Sequence, residues 1–537
     1  MIKLLLTLLA ASGLAAERYD VVVYGGTAGG AITAVTAARE GLTVALLEPR
    51  DHIGGLMSGG LGWTDFGKKE VIGGYSLEFF FRVGRHYNIR QYGQEASWNF
   101  EPKVAERIFR EMLEEAKVRV LFRHRLREKG GVEKSGRRIT RIVMENGATF
   151  EARIFSDSTY EGDLMAQSGV SYTLGREGVS QYGESLAGVR DETPKHQFLF
   201  NVSARASDGK LLPEIFDGPY GKPGEADRKV QAYNFRMCLS SDPANQVPYP
   251  RPTGYSAARF DLFARYLEAF VANNSRAPRM NEVLKPDPIP NNKLDVNNNG
   301  PFSTDYIGGS WEYPEANYAR RAQIWQAHID YVAGLFYFLA HDSRVPATLR
   351  DEVGRWGLAK DEFQDTAHWP HQLYVREARR MTGEYVIVQK DLQTERTKPD
   401  PIGMGSYNSD SHNIQRIVTP EGWVRNEGDM QVSVQPYQIP YRILTPKRGE
   451  VENLLVPVCF SASHVAYSSV RMEPQYMILG QAAGLAAKMA IASNAPVQSI
   501  DTKALTAKLR EQGAVMEYVP ASFFQNWNLF RRLPAPR

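Results

Sequence analysis

The chain has 537 residues, of which 43% are hydrophobic, 11% aromatic and 23% charged, and this composition excludes a disordered or fibrous protein. Its 64 Lys and Arg residues nearly balance its 61 Asp and Glu residues, and no basic block stands out, so we expect no nucleic-acid partner. At about 150 residues per domain the length predicts more than one folded unit, and we expect two intimately joined domains.

The N-terminus has the pattern of an export signal. Lys3 precedes an apolar run over residues 4–14, and the small residues Ala15 and Ala16 permit cleavage. We therefore predict a signal peptide over residues 1–16 and a periplasmic or secreted mature protein. The alternative, a buried N-terminal strand or helix, is disfavoured because a well-formed strand follows at once. No later run approaches the roughly 18 apolar residues of a membrane helix, so we expect no membrane span in the mature protein.

The next segment has the pattern of a parallel βαβ unit. It reads as a Val-rich strand, a glycine-rich turn, a helix and a second strand, over residues 19–24, 25–30, 31–40 and 42–48. A continuous apolar run is typical of a strand that is buried on both faces of a parallel sheet. Glycines before a helix N-terminus suit a dinucleotide pyrophosphate, and Glu48 at the end of the second strand is placed to accept from a ribose hydroxyl.

The rest of the chain predicts a second part that interrupts the first. A helix over 102–117, a strand over 118–122 and a hairpin around Asn146-Gly147 extend the first unit. The sequence pattern then changes, from about residue 166 to residue 449. This region holds a Pro/Asn-rich segment (285–301), a long helix (315–339) and a polar loop (397–412). A buried-type strand and a small-residue helix then return, over 453–460 and 473–492.

These changes predict five segments along the chain. They are the signal peptide (1–16), the first part of a dinucleotide-binding domain (17–165), an inserted α+β substrate domain (166–449), the second part of the dinucleotide-binding domain (450–500) and a C-terminal extension (501–537). The predicted fold class is α/β, with a Rossmann-like parallel sheet that carries a β-hairpin.

Several motifs together resemble a known family. They are Gly25-Gly26-Thr27, His52-Ile53-Gly54-Gly55, Asp157-Ser-Thr-Tyr-Glu161-Gly-Asp163, Tyr233-Asn-Phe-Arg236-Met-Cys238, Arg376-Glu-Ala-Arg379-Arg380, and Ser461-Ala-Ser-His464 through Arg471-Met-Glu-Pro474. With these motifs the chain resembles the FAD-dependent oxidoreductases of the two-part, glutathione-reductase-like flavin fold, and among them a secreted bacterial group often labelled xanthan lyases. The resemblance implies bound FAD.

The resemblance also implies which residues contact FAD. The implied residues are Gly25, Gly26, Thr27, Ala28, Gly29 and Gly30 for the pyrophosphate, Glu48 for the adenosine ribose, Gly54, Gly55, Met57, Ser58, Gly59 and Gly60 for the ribityl chain and ring, Val120 for the adenine, and Glu473, Gly480, Gln481 and Ala482 for the pyrimidine side. Pro49 and Arg50, which follow Glu48, are also expected to contact FAD. Thr27 replaces the usual middle glycine, and we expect its hydroxyl to contribute to pyrophosphate contact. The small residues near Gly480 have a second interpretation, which is close helix packing.

Candidate catalytic residues are His464, His412 and Arg471. A flavin enzyme that oxidises an alcohol or amine needs a base near the proton that is removed, and histidine is the usual base near neutral pH. His464 and Arg471 flank the segment that the resemblance places near the flavin, whereas His412 lies in a polar loop. The alternatives are a packed core histidine for His464 and a loop-capping residue for His412.

Other polar residues favour structural interpretations. Arg376 and Arg380 have helical spacing suited to a carboxylate or phosphate, but a surface network with Glu377 and Glu384 is the favoured interpretation. His368 and His371 lack an evident acidic partner, so we predict no metal site. Cys238 and Cys459 either pair in an oxidising compartment or are two buried free thiols.

We therefore predict an exported FAD-dependent oxidoreductase. It would transfer a hydride from a small alcohol-bearing or amine-bearing substrate, with carbohydrate as one possibility, and its electron acceptor is not specified by the sequence. The alternative is an FAD-containing lyase or isomerase that acts on carbohydrate without net redox change. A binding module with an inactive fold is disfavoured because both flavin-binding parts are recognisable.

Overall fold

The computed structural model describes residues 16–90, 95–191 and 193–520. The predicted signal peptide lies outside these residues except for Ala16, and so does the last part of the predicted C-terminal extension, over 521–537. Within the described part of the chain, no helix combines the length and the hydropathy that a membrane crossing requires. Cys238 and Cys459 are both buried and free, so they do not form a disulfide with each other.

The N-terminal part forms a sheet that is covered by helices. Its elements are β1 (Glu17–Tyr24), α1 (Ala28–Arg39), β2 (Val44–Leu47), α2 (Gly74–His86), α3 (Pro102–Glu115), β3 (Arg119–Leu121), β4 (Val132–Ser135), β5 (Arg138–Val143) and β6 (Thr149–Asp157). The strand order is β3-β2-β1-β6-β5-β4. Strands β3, β2, β1 and β6 are parallel, whereas β5 pairs antiparallel with β6 across the Asn146-Gly147 turn. The predicted α/β class, with a Rossmann-like sheet and a hairpin, is confirmed.

Apolar side chains of β1 point alternately to the two faces of the sheet, and this explains why the sheet is buried on both faces. Val21 and Val23 belong to the hydrophobic core that contains α1, whereas Val22 and Tyr24 belong to a second core that contains residues of the hairpin. Successive side chains of a strand point to opposite faces, so one Val-rich run supplies both cores. The carboxyl ends of β1, β2 and β6 consequently meet at one edge of a rigid layer.

The middle of the chain mixes short strands and helices. Its elements are α4 (Asp163–Gln167), β7 (Tyr172–Thr173), α5 (Val179–Tyr182), β8 (Met237–Ser240), β9 (Gln246–Val247), α6 (Asp261–Asn274), α7 (Met280–Val283), β10 (Leu284–Ile289), β11 (Lys293–Asn298), α8 (Tyr318–His341), α9 (Ala347–Gly354), β12 (Gly357–Ala359), β13 (Arg380–Met381), α10 (Gln389–Gln393), β14 (Pro401–Gly405), β15 (Ser409–Ser411), β16 (Gln415–Val418), β17 (Val424–Glu427), β18 (Met430–Val432) and β19 (Tyr437–Pro440). A second sheet has the order β10-β11-β8-β12-β9.

Two segments of this region differ from the prediction. The Pro/Asn-rich segment forms the antiparallel hairpin β10–β11, because β11 pairs with β8 and is thereby drawn into the second sheet. The predicted polar loop contains β14 and β15, which pair with β19 and β18. In both cases pairing with distant strands overrides a local composition that is typical of loops.

The C-terminal part returns to the first sheet. Its elements are β20 (Leu454–Leu455), α11 (His464–Val470), α12 (Glu473–Ser493) and α13 (Thr502–Glu511). Strand β20 pairs parallel with β6, as an interrupted first domain requires, although the five predicted domain boundaries stay predictions. The predicted strand over 453–460 is reduced to two residues. The strand is short because the N–H groups of Val456 and Ser461 donate hydrogen bonds to the carbonyl oxygens of Leu444 and Ile443. These two residues belong to no strand.

Helix α12 packs closely against α1 at positions without side chains. A Cβ atom on Gly480 would lie 2.2 Å from the carbonyl oxygen of Gly29, and one on Gly484 would lie 2.6 Å from the carbonyl oxygen of Thr33. Real Cβ atoms do not approach backbone oxygens this closely, so the two helices pack together only because glycine occupies these positions.

We expect Gly480→Ala to destabilise the protein by about 1–3 kcal/mol, because the added methyl group forces α12 away from α1. Gly354→Ala is the matched control, since Gly354 is also helical and a Cβ atom there would have no neighbouring group within 4 Å. That control should be neutral or stabilised by up to about 1 kcal/mol through helix propensity. Urea unfolding of both variants measures the difference. Equal stabilities would contradict the packing argument.

Candidate FAD and active site

The carboxyl edge of the first sheet holds a cavity of about 400 Å³. Gly25, Thr27, Glu48 and Gly55 are among its lining residues. Helix α1 begins at this edge, three residues earlier than predicted, with Thr27 as its N-cap. The first N–H groups of a helix have no intrahelical partners and carry the positive end of the helix dipole, so this edge is suited to a pyrophosphate.

Gly25 and Gly30 let the turn and the helix come together. Gly25 has φ +103°, a conformation that favours glycine, and a Cβ atom on Gly30 would lie 2.0 Å from the carbonyl oxygen of Gly25. Gly29, which is also predicted to contact the pyrophosphate, packs against the backbone of Tyr476 on α12. The glycines of this turn are therefore required by the backbone geometry of the cradle itself.

The hydroxyl of Thr27 has a structural role. It donates to the carbonyl oxygen of Ser158 (2.8 Å) and accepts from the N–H of Gly30 (3.1 Å). Its proton is thereby engaged by Ser158, and its expected contribution to pyrophosphate contact stays a prediction. Thr27 thus joins the start of α1 to the end of β6.

Glu48 is held at the end of β2 by two backbone donors. Its Oε2 accepts from the N–H of Gly26 (2.7 Å) and its Oε1 accepts from the N–H of Arg50 (2.8 Å). The side chain is buried, and burial raises the pKa of its carboxyl group. Its carboxylate lines the cavity beside the glycine turn, as a ribose-binding acid requires. Pro49 and Arg50 line the same cavity.

The second glycine cluster runs from this cavity into the middle part of the chain. A Cβ atom on Gly55 would lie 2.4 Å from the hydroxyl of Tyr160, and one on Gly60 would lie 2.2 Å from the carbonyl oxygen of Arg236. A Cβ atom on Gly59 would lie 2.2 Å from the Cβ of Gln372. The loop therefore leads from the nucleotide cradle to the residues around Arg236. Met57 and Ser58 are buried within it, and Gly54 donates to the carbonyl oxygen of Gly26.

Among the predicted cofactor residues that do not line this cavity are Val120, Gly480, Gln481 and Ala482. Val120 pairs with Leu46 in the sheet, and Arg123 lines the cavity in its place. Gly480, Gln481 and Ala482 lie two turns beyond the start of α12. Gln481 accepts from the N–H of Tyr75, and Gly480 contacts α1. These contacts favour the helix-packing interpretation, and direct contact with FAD stays a prediction for these residues.

The first residue of α12, Glu473, carries a buried carboxyl group beside the glycine loop. Its Oε1 accepts from the hydroxyl of Tyr160 (2.6 Å), which in turn accepts from the N–H of Leu56 (2.9 Å). Its Oε2 has no hydrogen-bond partner among the described residues, and burial raises the pKa of the group to about 8. A buried polar atom without a partner fits a site that is completed by a bound cofactor.

The raised pKa of Glu473 predicts a pH-dependent stability. The folded protein holds this proton up to about pH 8, whereas the unfolded chain releases it near pH 4.5. The contribution to stability is therefore fully present below pH 4.5 and is lost as the pH rises through 8. Between pH 6 and pH 9 we expect the wild type to lose about 2–3 kcal/mol more than Glu473→Gln, as measured by urea unfolding. Parallel pH profiles would contradict the assignment.

His412 forms a buried pair with an aspartate. Its Nδ1 lies 2.7 Å from Oδ2 of Asp305, and Arg376 pairs with the other oxygen of Asp305 (2.9 Å). Burial, and then the charge of Arg376, lowers the pKa of His412, so the imidazole is neutral near pH 7. The Asp305 carboxylate favours the tautomer that carries a proton on Nδ1, which leaves the Nε2 lone pair available as a base.

Arg471 contacts residues that neighbour His412. It donates to the hydroxyl of Tyr374 (3.0 Å) and to the carbonyl oxygen of Asp410 (2.7 Å). The Asp410 carboxylate lies 3.9 Å from Nε2 of His412 and 3.7 Å from the Arg471 guanidinium. The structure therefore brings two of the three predicted catalytic residues around one carboxylate.

His464 belongs to a neighbouring network. Its Nδ1 lies 2.8 Å from Oε2 of Glu377, which also accepts from Gln231 (2.9 Å). Gln231 accepts from the backbone N–H of His412, so it links the two histidines through one amide side chain. His464 is therefore buried, is joined to His412 through Glu377 and Gln231, and has a carboxylate partner that the sequence pattern did not indicate.

The expected surface network of Arg376 and Arg380 with Glu377 and Glu384 is wrong, because both arginines lie in the interior. Arg376 and Arg380 are fully buried, and none of the described helices includes them. Arg380 pairs with Glu177 and Glu377, whereas Glu384 pairs with Arg448 at the surface. The Nε atoms of Arg376 and Arg471 have no hydrogen-bond partner among the described residues. These two buried donors lie on either side of Tyr374, whose ring centroid is 4.5 Å from the Arg376 guanidinium and 5.8 Å from that of Arg471.

One histidine pair was not apparent from the sequence. The rings of His52 and His371 stack with centroids 3.9 Å apart and an interplanar angle of 10°, and ligand atoms of both and of Glu106 lie within 4.8 Å of one another. Ring lone pairs lie in the ring plane, so two parallel rings cannot direct theirs at one ion without rotating. Glu106 is thus the acidic partner of His371 that the sequence did not show. The absence of a metal site stays a prediction.

Comparison with known proteins identifies the family. The model of the family described as FAD dependent oxidoreductase matches residues 20–509. The chain belongs to this family. It is therefore an FAD-dependent oxidoreductase, and FAD is its cofactor. A search of curated proteins found no significant match.

Solved structures of flavin enzymes show local similarity. The L-proline dehydrogenase from P. horikoshii is 15% identical over 30% of this chain and 59% of its own, with a TM-score of 0.23. The 3-ketosteroid dehydrogenase from Rhodococcus jostii RHA1 is 16% identical over 29% and 49%, with a TM-score of 0.19. A flavin-containing monooxygenase from Stenotrophomonas maltophilia is 19% identical over 31% and 44%, also with a TM-score of 0.19. The chain thus spans about half the length of these proteins.

Proposed function

We propose that this enzyme transfers a hydride from a small alcohol-bearing or amine-bearing substrate to FAD, with His412 as the base. The observation that carries the proposal is the buried His412–Asp305 pair. Asp305 also pairs with Arg376, on the segment whose Gln372 packs against Gly59 of the glycine loop. Arg376 and Arg471 contact Tyr374, and the loop ends against Arg236 and Gln372 in the same region. The glycine loop and Glu473 would hold the flavin, which supplies hydride acceptance when bound.

The geometry of His412 supports the proton-transfer part of this reaction. As a carbon–hydrogen bond of the substrate gives up its hydride, one hydroxyl or ammonium proton passes to Nε2 of His412, which yields a carbonyl from an alcohol or an iminium ion from an ammonium. Asp305 holds the ring and stabilises the imidazolium that forms. Positioned bases of this kind contribute about 10²–10⁴-fold to a reaction rate.

The chemistry of the surrounding groups supports a polyhydroxylated substrate, including carbohydrate. Unpartnered arginine donors, the Asp410 carboxylate and the ring of Tyr374 together offer donors, acceptors and a flat surface. We also propose that the enzyme is exported, as in the secreted xanthan lyase-like group that the chain resembles. The support for export is the leader pattern of residues 1–16.

A second candidate is a lyase or isomerase that uses FAD without net redox change. Burial, and then the neighbouring Asp410, raises the pKa of Asp429 to about 7. Asp410, the neighbour of Asp429, has its carboxylate 3.9 Å from Nε2 of His412. An acid with this pKa beside that carboxylate would return a proton that the base has removed, and acid–base pairs of this kind serve elimination and isomerisation.

We expect His412→Asn to slow anaerobic reduction of the bound flavin by about 10²–10⁴-fold while the flavin spectrum is retained. The measurement is bleaching of the flavin after rapid mixing with sugars, polyols, amines and amino acids. His341→Asn, at an exposed histidine that ends α8, is the control and should react like the wild type.

Two outcomes would contradict this proposal. Flavin reduction in His412→Asn at the wild-type rate would exclude His412 as the base. Product formation by the wild type while its flavin stays oxidised would favour the lyase or isomerase.

A further inference from the structure

A second cavity, of about 1080 Å³, lies against the adenosine side of the nucleotide cradle. The first sheet contributes Tyr24 and Thr159 to its lining, and the middle part of the chain contributes Tyr318, Trp325 and Trp369. Neither the sequence motifs nor the proposed reaction assigns a role to it.

The two cavities share a wall. Pro49, Arg50, Thr159, Glu161, Thr366 and His371 line both of them. Pro49 and Arg50 directly follow Glu48, the acid placed for the ribose. A nucleotide that has its pyrophosphate at α1 and its ribose at Glu48 therefore has its base directed to this shared wall.

A flat aromatic surface stands at that wall. The Arg50 guanidinium lies 4.5 Å from the ring centroid of Trp325 and also donates to the side-chain oxygen of Gln372 (2.8 Å). The Trp325 ring is supported by Phe235, with centroids 5.7 Å apart and an interplanar angle of 72°. Trp325 is half-buried and lies on α8, so a helix of the inserted region holds this ring next to the residues that follow Glu48.

We propose that the adenine of FAD reaches this wall and stacks on the pair formed by the Arg50 guanidinium and the Trp325 ring. The guanidinium lies over the indole and presents its own flat face, on which a planar base can stack, while Trp325 holds it in place. The cofactor then contacts α8 as well as the first sheet, and FAD binding joins the two parts of the chain. The proposal concerns cofactor binding only, so it can fail or succeed independently of the role of His412.

The test measures FAD dissociation from the full-length holoprotein. Free FAD is released on serial dilution and detected by its fluorescence. We expect Trp325→Ala to raise the dissociation constant about tenfold, and Trp325→Phe, which keeps a flat ring, to raise it less than threefold. Trp356→Ala is the matched control, because Trp356 is also half-buried but lines neither cavity, and its dissociation constant should be unchanged.

A second measurement covers the case in which Trp325→Ala does not fold. ADP, which lacks the flavin ring, is titrated into the full-length apoprotein while tryptophan emission is recorded. ADP should quench emission in the wild type and leave it unchanged in Trp325→Phe. The proposal is overturned if Trp325→Ala changes the FAD dissociation constant less than threefold, if Trp325→Phe loses as much affinity as Trp325→Ala, or if ADP quenches both proteins equally.

Discussion

The close approach of α1 to the backbones around it is the constraint on which the site depends. The Cα of Gly30 faces the carbonyl oxygen of Gly25, and the carbonyl oxygen of Gly29 faces Gly480 on α12. A single methyl group at either contact would displace the helix that carries the free N–H groups. Because α12 begins at Glu473 and packs beside α1, the same contact also positions the buried carboxyl group next to the glycine loop. The glycine cradle and the buried carboxyl group of Glu473 therefore depend on one packing interface.

Buried charge is the second determinant of the site. Asp305 pairs with both His412 and Arg376, and Glu377 pairs with both His464 and Arg380. Removing a charge from water is costly unless partners compensate, so each carboxylate fixes the positions of two basic side chains. Asp305 holds the imidazole of His412 in one orientation, whereas burial and the charge of Arg376 keep it neutral. If His412 is the base, as we propose, a side chain fixed in this way needs little reorganisation when substrate binds.

The sequence predicted those features that depend on local pattern. The βαβ unit, the hairpin at Asn146-Gly147 and the long helices have periodicities or turn residues that specify them. The strand at residues 453–460 was predicted too long, because its apolar character reflects burial beneath loops rather than pairing in a sheet. Arg376 and Arg380 were predicted on a helical surface because helical spacing says nothing of burial. The resemblance implied Glu473, but not its buried contact with Tyr160. Asp305 and Trp325 have their contacts with distant segments, which no local pattern encodes.

A crystal structure of the holoprotein with FAD tests the central claim most directly. The account predicts the pyrophosphate at the start of α1, between Gly25 and Gly30, and the ribose at Glu48. It also predicts that the isoalloxazine ring lies along Gly55 to Gly60, with one face open toward Nε2 of His412. A flavin ring that is bound elsewhere, or one that is separated from His412 by the buried network around Glu377, would contradict the account.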